Sequence, residues 1–188
     1  MPERQRADAR RNYARILTVA EQEVATHGAG ASLEQIARIA GVGSATVRRH
    51  FPTRRALVEA VSQERIEALV ARARELAGLG DSRKALLDWL SDVVAYCVAA
   101  QGLAAALTYE GTEPDSIYEN SCTAALEDAG SPLLQRAVQD GAVDAGIGVA
   151  DLITLAVGVV LATEHHSDRE AAAERLFGLA AEGLSPRG

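Results

Sequence analysis

The segment Ser32–Phe51 constrains the fold of this chain more than any other, because it specifies two short helices and the turn between them. Ser32 and Gln35 form the S-x-x-Q capping-box pattern that marks the start of a helix. The apolar residues that follow recur at helical spacing, so one face of this helix can be buried: Ile36, Ala37 and Ala40.

A tight turn leads to the second helix. The run Gly41-Val42-Gly43 breaks the first helix, because glycine adopts the left-handed conformation without the steric cost of a Cβ. The second helix begins at about Ser44 and ends before Pro52, with Val47 and Phe51 facing inward. Two short helices joined in this way form a helix-turn-helix, whose second helix enters the major groove of DNA.

Arginines and short polar residues cluster at the outward positions around this turn. Arginine can bind guanine O6 and N7 together, and threonine can contact the thymine methyl group. Side chains near helix ends more often contact phosphates. The predicted DNA-binding residues are Ser32, Arg38, Gly43, Ser44, Ala45, Thr46, Arg48, Arg49, His50, Thr53 and Arg54, with Arg10 and Arg11 as a phosphate-contacting arm. The alternative is a charged surface that is merely solvated.

The rest of the chain is also predicted to be helical, because it is rich in alanine and poor in proline. The spacing predicts a first helix over Arg6–His27 and a long fourth helix, capped by Thr53, to about Leu76. Further helices are expected from Asp81 or Ser82 to about Ala100, over Gly102–Glu110, from Glu113 to an interruption at Gly130–Pro132, and over Leu133–Gln139, Val149–Glu164 and Asp168–Gly183. The fold class is therefore all-α.

Charge is distributed unevenly along the chain, whose net charge is −7. Residues 1–75 contain 13 arginines and nine acidic residues, a net charge of +4. Residues 76–188 contain six basic and 17 acidic residues, a net charge of −11. A basic N-terminal part on an acidic remainder directs a polyanion to one end of the molecule.

The sequence predicts a cytoplasmic protein. The charged N-terminus is not followed by the apolar run of a signal peptide. The most apolar stretch, Leu152–Ala162, is shorter than the about 20 residues that span a bilayer. Cys97 and Cys122 lack metal-ligand spacing, so they are interpreted as small buried apolar residues, with a redox role left open.

Residues 10–60 resemble the DNA-binding domain of TetR-family transcriptional regulators. The resemblance is carried by Ile16-Leu-x-x-Ala20, Ser32-x-x-x-Ile36-Ala37, Ala40-Gly-Val and Arg49-His-Phe-Pro-Thr-Arg-x-Ala-Leu57. Two positions depart from the family pattern: Gly43 stands where Ser is usual, and Arg48 stands where Tyr is usual. The segment from Gln139 to Leu152 resembles, more weakly, the C-terminal ligand domains of one branch of that family.

The resemblance implies a repressor that binds double-stranded operator DNA as a homodimer and responds to a small-molecule effector. The implied organisation is a three-helix DNA-binding domain over residues 1–53, the start of the connecting helix at 54–65, and a ligand-binding and dimerisation domain over 66–188. A mainly apolar effector would bind among the helices of residues 82–140, near Trp89, Tyr96, Tyr109 and Tyr118. These aromatic residues could equally form an ordinary core.

The last two helices predict the dimer interface. Between Asp151 and Glu164 the first of them is apolar all round, and its own chain can cover one side only. Two such helices from each subunit would form a four-helix bundle about a two-fold axis. The predicted interface residues are Leu152, Leu155, Val159, Leu176, Phe177 and Ala180. The alternative is a central core helix in a monomer.

Neither a metal, a cofactor nor an enzymatic activity is expected. His165 and His166 are adjacent on a helix, so they point in different directions and chelate poorly together. Two competing functions stay open: an enzyme with a helical body, and a helical small-molecule carrier or interaction protein that has lost DNA binding. A gel-shift assay with the DNA flanking the gene separates these alternatives from a regulator.

Overall fold

The computed structural model describes residues 2–27, 31–108 and 116–183, apart from the side chains of residues 2–7, 25, 54, 100–108 and 116–121. This part of the chain contains helices and no strand, which confirms the all-α fold class. The helices are α1 (Pro2–His27), α2 (Leu33–Ile39), α3 (Ser44–His50), α4 (Arg54–Leu76), α5 (Ser82–Thr108), α6 (Ser116–Gln139), α7 (Val149–Ala162) and α8 (Arg169–Glu182). They divide into two compact units, Met1–Glu64 with Ala100–Pro114, and Arg65–Ala99 with Asp115–Gly188.

The first unit is built around one apolar core. Four helices supply its buried side chains, which include Ile16, Leu17, Ala20 and Val24 of α1, Ile36 and Ala37 of α2, Val47 of α3, and Leu57, Val58 and Val61 of α4. Phe51, just after α3, is buried in the same core. Tyr13 of α1 is partly exposed and stacks on Phe51, with ring centroids 5.3 Å apart.

Local capping and one special backbone conformation shape the helix-turn-helix. Ser32 Oγ accepts a hydrogen bond from the Gln35 N–H at 3.4 Å and so caps α2. Gly41 has a φ of 63°, the left-handed conformation that ends the helix, and the Val42 N–H donates to the Ala37 carbonyl at 3.0 Å. Val42 itself is half-buried against the core.

Trp89 of α5 lies at the centre of the second unit and is fully buried. Its indole Nε1 donates to the Leu69 carbonyl at 3.1 Å, which ties α5 to α4. Arg136 of α6 binds the segment that follows α4. Its Nη1 donates to the Ala77 carbonyl at 2.6 Å, and its Nη2 donates to the Gly80 carbonyl at 3.1 Å. These contacts satisfy carbonyls at and beyond the C-terminus of α4.

Two predicted helix boundaries are wrong. The backbone of α5 continues to Thr108, where separate helices ending near Ala100 and starting at Gly102 were expected. Helix α6 runs through Gly130–Pro132, where an interruption was expected. The Trp89 ring packs directly against Gly130. A Cβ at this position would lie 2.6 Å from two ring carbons, so the packing requires glycine. The glycine thus reflects close packing and not a helix end.

The last two helices agree with their predicted positions. Asp168 caps α8 by accepting from the Ala171 N–H at 3.1 Å, and Gly183 follows its end. One side of α7 is buried in the core of its own unit, through Val149, Leu152, Ile153, Ala156 and Val160. Its opposite side carries apolar residues that the chain leaves exposed, among them Val157 at 40% and Leu161 at 58%.

Candidate nucleic-acid interface

Helix α3 is fixed by two inward side chains. Val47 and Phe51, four residues apart, are 0% and 2% exposed in the core of the first unit. Anchors at this spacing turn the other faces of a short helix outward. The N-terminus of α3 follows Gly43, whose carbonyl accepts from the Thr46 N–H at 2.8 Å without a side-chain cap. The helix therefore protrudes with its polar side chains directed away from the core.

Most of the predicted DNA-binding residues are exposed. On α3 and the turn before it, Gly43, Ser44, Ala45, Arg48 and Arg49 are exposed, while Thr46 and His50 are half-buried. Around them, Arg10, Arg11, Arg38 and Thr53 are exposed and Ser32 is half-buried. Arg54 opens α4, and its side chain lies outside the described part of the structure. All of these residues belong to the first unit, where they can act as one surface.

An aromatic cluster joins the first half of α1 to the end of α3. Tyr13 meets His50 edge-on with ring centroids 5.6 Å apart, and it stacks on Phe51. Arg10 precedes Tyr13 by three residues and lies about one helical turn further along the same side of α1. This contact brings the part of α1 that follows the predicted phosphate-contacting arm beside α3. The sequence analysis did not predict this contact, which joins residues on two helices.

Two arginines of the surface differ in their partners. Arg48 Nη2 donates to Glu34 Oε1 of α2 at 2.5 Å. Among the described residues, no side chain pairs with the guanidinium of Arg49. Arg38 Nε donates to Gln35 Oε1 at 3.2 Å, which holds it along α2. On α3, Arg48 is thus held by a carboxylate of α2, whereas Arg49 has no such partner among the described residues.

Glu34 is a site residue that the sequence reasoning missed. Its Oε2 accepts from Ser32 Oγ at 3.2 Å while its Oε1 accepts from Arg48. The hydrogen bond from Arg48 is the largest cause that holds the pKa of Glu34 below its ordinary value, with the backbone and Ser32 adding to it. Its position in the first turn of α2 is visible in the sequence, but its partner is 14 residues away and on another helix.

The aromatic residues predicted to line an effector pocket fall into two groups. Trp89 is fully buried and bonded to Leu69, and Tyr96 is half-buried against the core of the second unit. Tyr109 and the side chain of Tyr118 lie outside the described residues. Contact of any of them with a ligand stays a prediction.

A groove of about 430 Å³ in the second unit runs between α5 and α8. Leu87, Val94 and Phe177 form its apolar part, and Arg83, Glu174 and Glu182 lie among its polar residues. Trp89 and Tyr96 do not line this groove. Of the helices predicted to surround the effector, α5 is the one that lines this groove.

The residues predicted for the dimer interface also divide. Leu152 and Phe177 are 1% and 3% exposed in the core of their own chain, so they offer a partner almost no surface. Leu155, Val159, Leu176 and Ala180 are half-buried. A second, more open groove of about 630 Å³ between α7 and α8 is lined mainly by small and apolar residues, including Leu155, Gly158, Val159, Ala162 and Leu176. The surface that remains as a candidate dimer interface is the one that lines this groove.

Comparisons with known proteins agree with this architecture. Residues 16–61 match the family model of bacterial regulatory proteins of the tetR family, and residues 81–186 match the C-terminal domain of SbtR-like transcriptional regulators. The described helices include none that is long and apolar enough to cross a membrane. A comparison with curated proteins gave no match.

Solved structures are similar over nearly the whole chain. A TetR transcription regulatory protein from Mycobacterium vanbaalenii is 35% identical, with 97% of this chain and 99% of that one covered and a TM-score of 0.75. A TetR transcriptional regulator from Streptomyces coelicolor is 32% identical, with 93% and 99% covered and a TM-score of 0.75. A transcriptional regulator from Cytophaga hutchinsonii, 14% identical with 90% and 94% covered and a TM-score of 0.72, shows the shared fold alone.

A helix-turn-helix unit followed by a second helical unit defines the class of all-α transcriptional regulators. The chain belongs to the TetR family of these regulators.

Proposed function

We propose that this chain is a transcriptional repressor that binds operator DNA in the cytoplasm as a homodimer and responds to a small-molecule effector. The observation that carries the proposal is the arrangement of α3. Its two anchors, Val47 and Phe51, are buried, while Arg48 and Arg49 stand exposed on the opposite side. A short protruding helix with exposed arginines suits the major groove of DNA.

The surroundings of α3 support contact with the DNA backbone on either side. Arg10 lies along α1 near the Tyr13–His50 contact, and Thr53 is exposed at the start of α4. Thr53 Oγ1 accepts from the Ala56 N–H at 3.1 Å, so its hydroxyl proton is free to donate to a phosphate oxygen. In the proposed complex α3 reads bases, and these flanking groups fix the register of the helix on the duplex.

The proposed effector site lies in the second unit, which matches a family of regulator C-terminal domains. The core of this unit is built largely from aliphatic side chains around Trp89. Space among α5 and its neighbouring helices would therefore favour a mainly apolar molecule, with tyrosine hydroxyls as polar contacts. Tyr96, half-buried on α5, is the described residue that we assign to this site.

The proposed dimer forms through the face shared by α7 and α8. Leu161 and Leu179 are 58% and 61% exposed, and Val159 and Leu176 are half-buried beside the groove between the two helices. An apolar face of this kind is typical of a surface that a second protein covers. A two-fold dimer would present two recognition helices to successive major grooves, about 34–36 Å apart.

A gel-shift assay with the full chain tests the proposal. The probes are the duplex that flanks the gene and an unrelated duplex of equal length and base composition. We expect retardation of the flanking duplex at a lower protein concentration. A folded, dimeric protein that retards neither duplex would contradict DNA binding and favour the carrier or interaction protein. Turnover of a small molecule by that protein would instead favour the enzyme.

A further inference from the structure

We propose that Glu34 determines the sequence selectivity of α3 by holding Arg48 in one orientation, without contacting DNA itself. The inference rests on the proposed function, since it concerns how the recognition helix reads DNA. Glu34 lies in the first turn of α2 and Arg48 lies on α3, so their contact at 2.5 Å links the two helices of the helix-turn-helix. Glu34 is therefore a positioning residue.

The carboxylate of Glu34 is itself fixed in place. One oxygen accepts from Arg48 and the other accepts from Ser32 Oγ at 3.2 Å. Ser32 Oγ also accepts from the Gln35 N–H, so the carboxylate is anchored to the capped start of α2. The Arg48 hydrogen bond is the chief cause that lowers the pKa of Glu34, which accords with a close contact between the two charged groups. Arg48 thus has a carboxylate partner that is itself hydrogen-bonded to the start of α2.

Arg48 keeps most of its hydrogen-bonding capacity in this arrangement. A guanidinium has five N–H donors, and the contact with Glu34 uses one hydrogen of Nη2. The side chain of Arg48 remains 63% exposed. Its other edge can therefore meet guanine O6 and N7 with two parallel hydrogen bonds. A long side chain that is already oriented loses less conformational entropy on binding, which favours the matching base.

The same ion pair weakens attraction to any DNA sequence. The carboxylate offsets one positive charge on the proposed DNA-binding surface, and counterion release, which drives non-specific binding, depends on that charge. Exposed ion pairs contribute little to fold stability, so stabilisation of the fold is a poor account of this one. Counterion release acts on specific and non-specific binding alike, so this charge effect lowers both affinities, and the orientation of Arg48 is what raises their ratio.

The test compares two duplexes bound by the full chain. One is the duplex that the wild-type protein selects from a random-sequence pool, and the other is a scrambled duplex of the same composition. We expect Glu34→Gln to lower the ratio of the two affinities by about threefold to tenfold. In Glu34→Gln, the affinity for the scrambled duplex should depend more steeply on salt. The slope of log affinity against log salt concentration should steepen by about 0.9, because one more positive charge of the protein becomes available to a phosphate. Glu64→Gln removes the same charge from an exposed position of α4 and should leave the ratio unchanged.

A second background separates orientation from charge alone. In Arg48→Met, the additional change Glu34→Gln should no longer alter the ratio, because the guanidinium it supports is gone. The inference would be overturned if Glu34→Gln left the ratio of the two affinities unchanged in the wild type. It would also be overturned if Glu34→Gln lowered the ratio equally in the wild type and in Arg48→Met. Circular dichroism melting confirms that each variant is folded. A wild type that selects no sequence would overturn the proposed function instead, and the inference with it.

Discussion

At the residue scale, Gly41 and Gly43 lie on either side of Val42 but have different backbone requirements. Gly41 has a φ of 63°, which an L-residue with a side chain rarely adopts. Gly43 has a φ of −67°, which any residue adopts. A Cβ at Gly43 would also have room, since its nearest contact would be Thr46 Oγ1 at 3.9 Å. The turn therefore requires glycine at the first position only.

This difference predicts opposite effects of substitution in one turn. Gly41→Ala should lower the free energy of unfolding by about 1–2 kcal/mol, because the new Cβ strains the left-handed conformation. Gly43→Ser should raise it by about a few tenths of a kcal/mol, because the hydroxyl can cap α3. Urea denaturation of both variants measures these changes. Equal destabilisation by the two substitutions would contradict the assignment.

Cys97 should react slowly in the folded protein. Burial raises the pKa of its thiol to about 11, so little of the reactive thiolate is present at pH 8. In a Cys122→Ala variant, we expect iodoacetamide to modify Cys97 far more slowly when folded than in urea, with a rate that rises towards pH 11. The result is read by mass spectrometry of the intact chain. Equal rates in both states would show that Cys97 is accessible and unperturbed.

The residue-scale features that the sequence could predict are local ones. The caps Ser32 and Thr53 act on N–H groups three residues away, so sequence spacing is enough to find them. The pair of Glu34 and Arg48 joins two helices, and the bond from Arg136 joins α6 to Ala77, just after the end of α4. Such contacts depend on how helices pack, which spacing within one helix does not contain.

At the element scale, α6 shows where a local signal is ambiguous. Gly-Ser-Pro is typical of a helix end followed by a new start, yet α6 continues through Gly130–Pro132. Ser131 Oγ donates to the Glu127 carbonyl at 2.8 Å, a bond that a serine inside a helix can make. Proline removes one N–H from the helix, but packing of α6 against Trp89 and Val149 stabilises the continuous form.

Gly130→Ala should test that packing. Its Cβ would lie 2.6 Å from two carbons of the Trp89 ring and 3.0 Å from Val149 Cγ1. We expect the free energy of unfolding to fall by about 1–3 kcal/mol, the usual cost of overpacking a core.

Gly178→Ala is the matched control on α8. A Cβ there meets no atom within 4 Å. Alanine should therefore raise the free energy of unfolding by up to about 1 kcal/mol through its helix propensity. Urea denaturation of the two variants should give opposite signs. Stabilisation by Gly130→Ala would mean that the ring does not pack against α6 as described.

At the scale of the whole molecule, the sequence predicted the architecture better than the sites. The long runs of helical periodicity located most helices, and the turn residues located the helix-turn-helix. The apolar character of α7 predicted that its own chain covers one side only, but it did not indicate which side faces inward. Leu152 proved to be in the core, while Leu161 is exposed.

The exposed face of α7 and α8 makes a prediction about assembly. We expect the wild type to sediment as a dimer at micromolar concentration and the double variant Val159→Glu with Leu176→Glu to sediment as a folded monomer, because two buried carboxylates would be costly in the interface. Leu79→Glu is the control, since Leu79 is 50% exposed outside this face. A monomeric wild type, or a double variant that remains dimeric, would place the interface elsewhere.

The central claim is that α3 carries the DNA-binding surface, and the salt dependence of DNA affinity in an Arg49→Ala variant tests it most directly. The measurement is fluorescence anisotropy of the selected duplex across a series of salt concentrations. For the wild type, the logarithm of the association constant should fall linearly with the logarithm of salt concentration. Arg49→Ala should weaken binding by about 1–3 kcal/mol, while Arg175→Ala, at an exposed position of α8, should not. The claim would be contradicted by an affinity that does not change with salt concentration and that is the same in Arg49→Ala and Arg175→Ala.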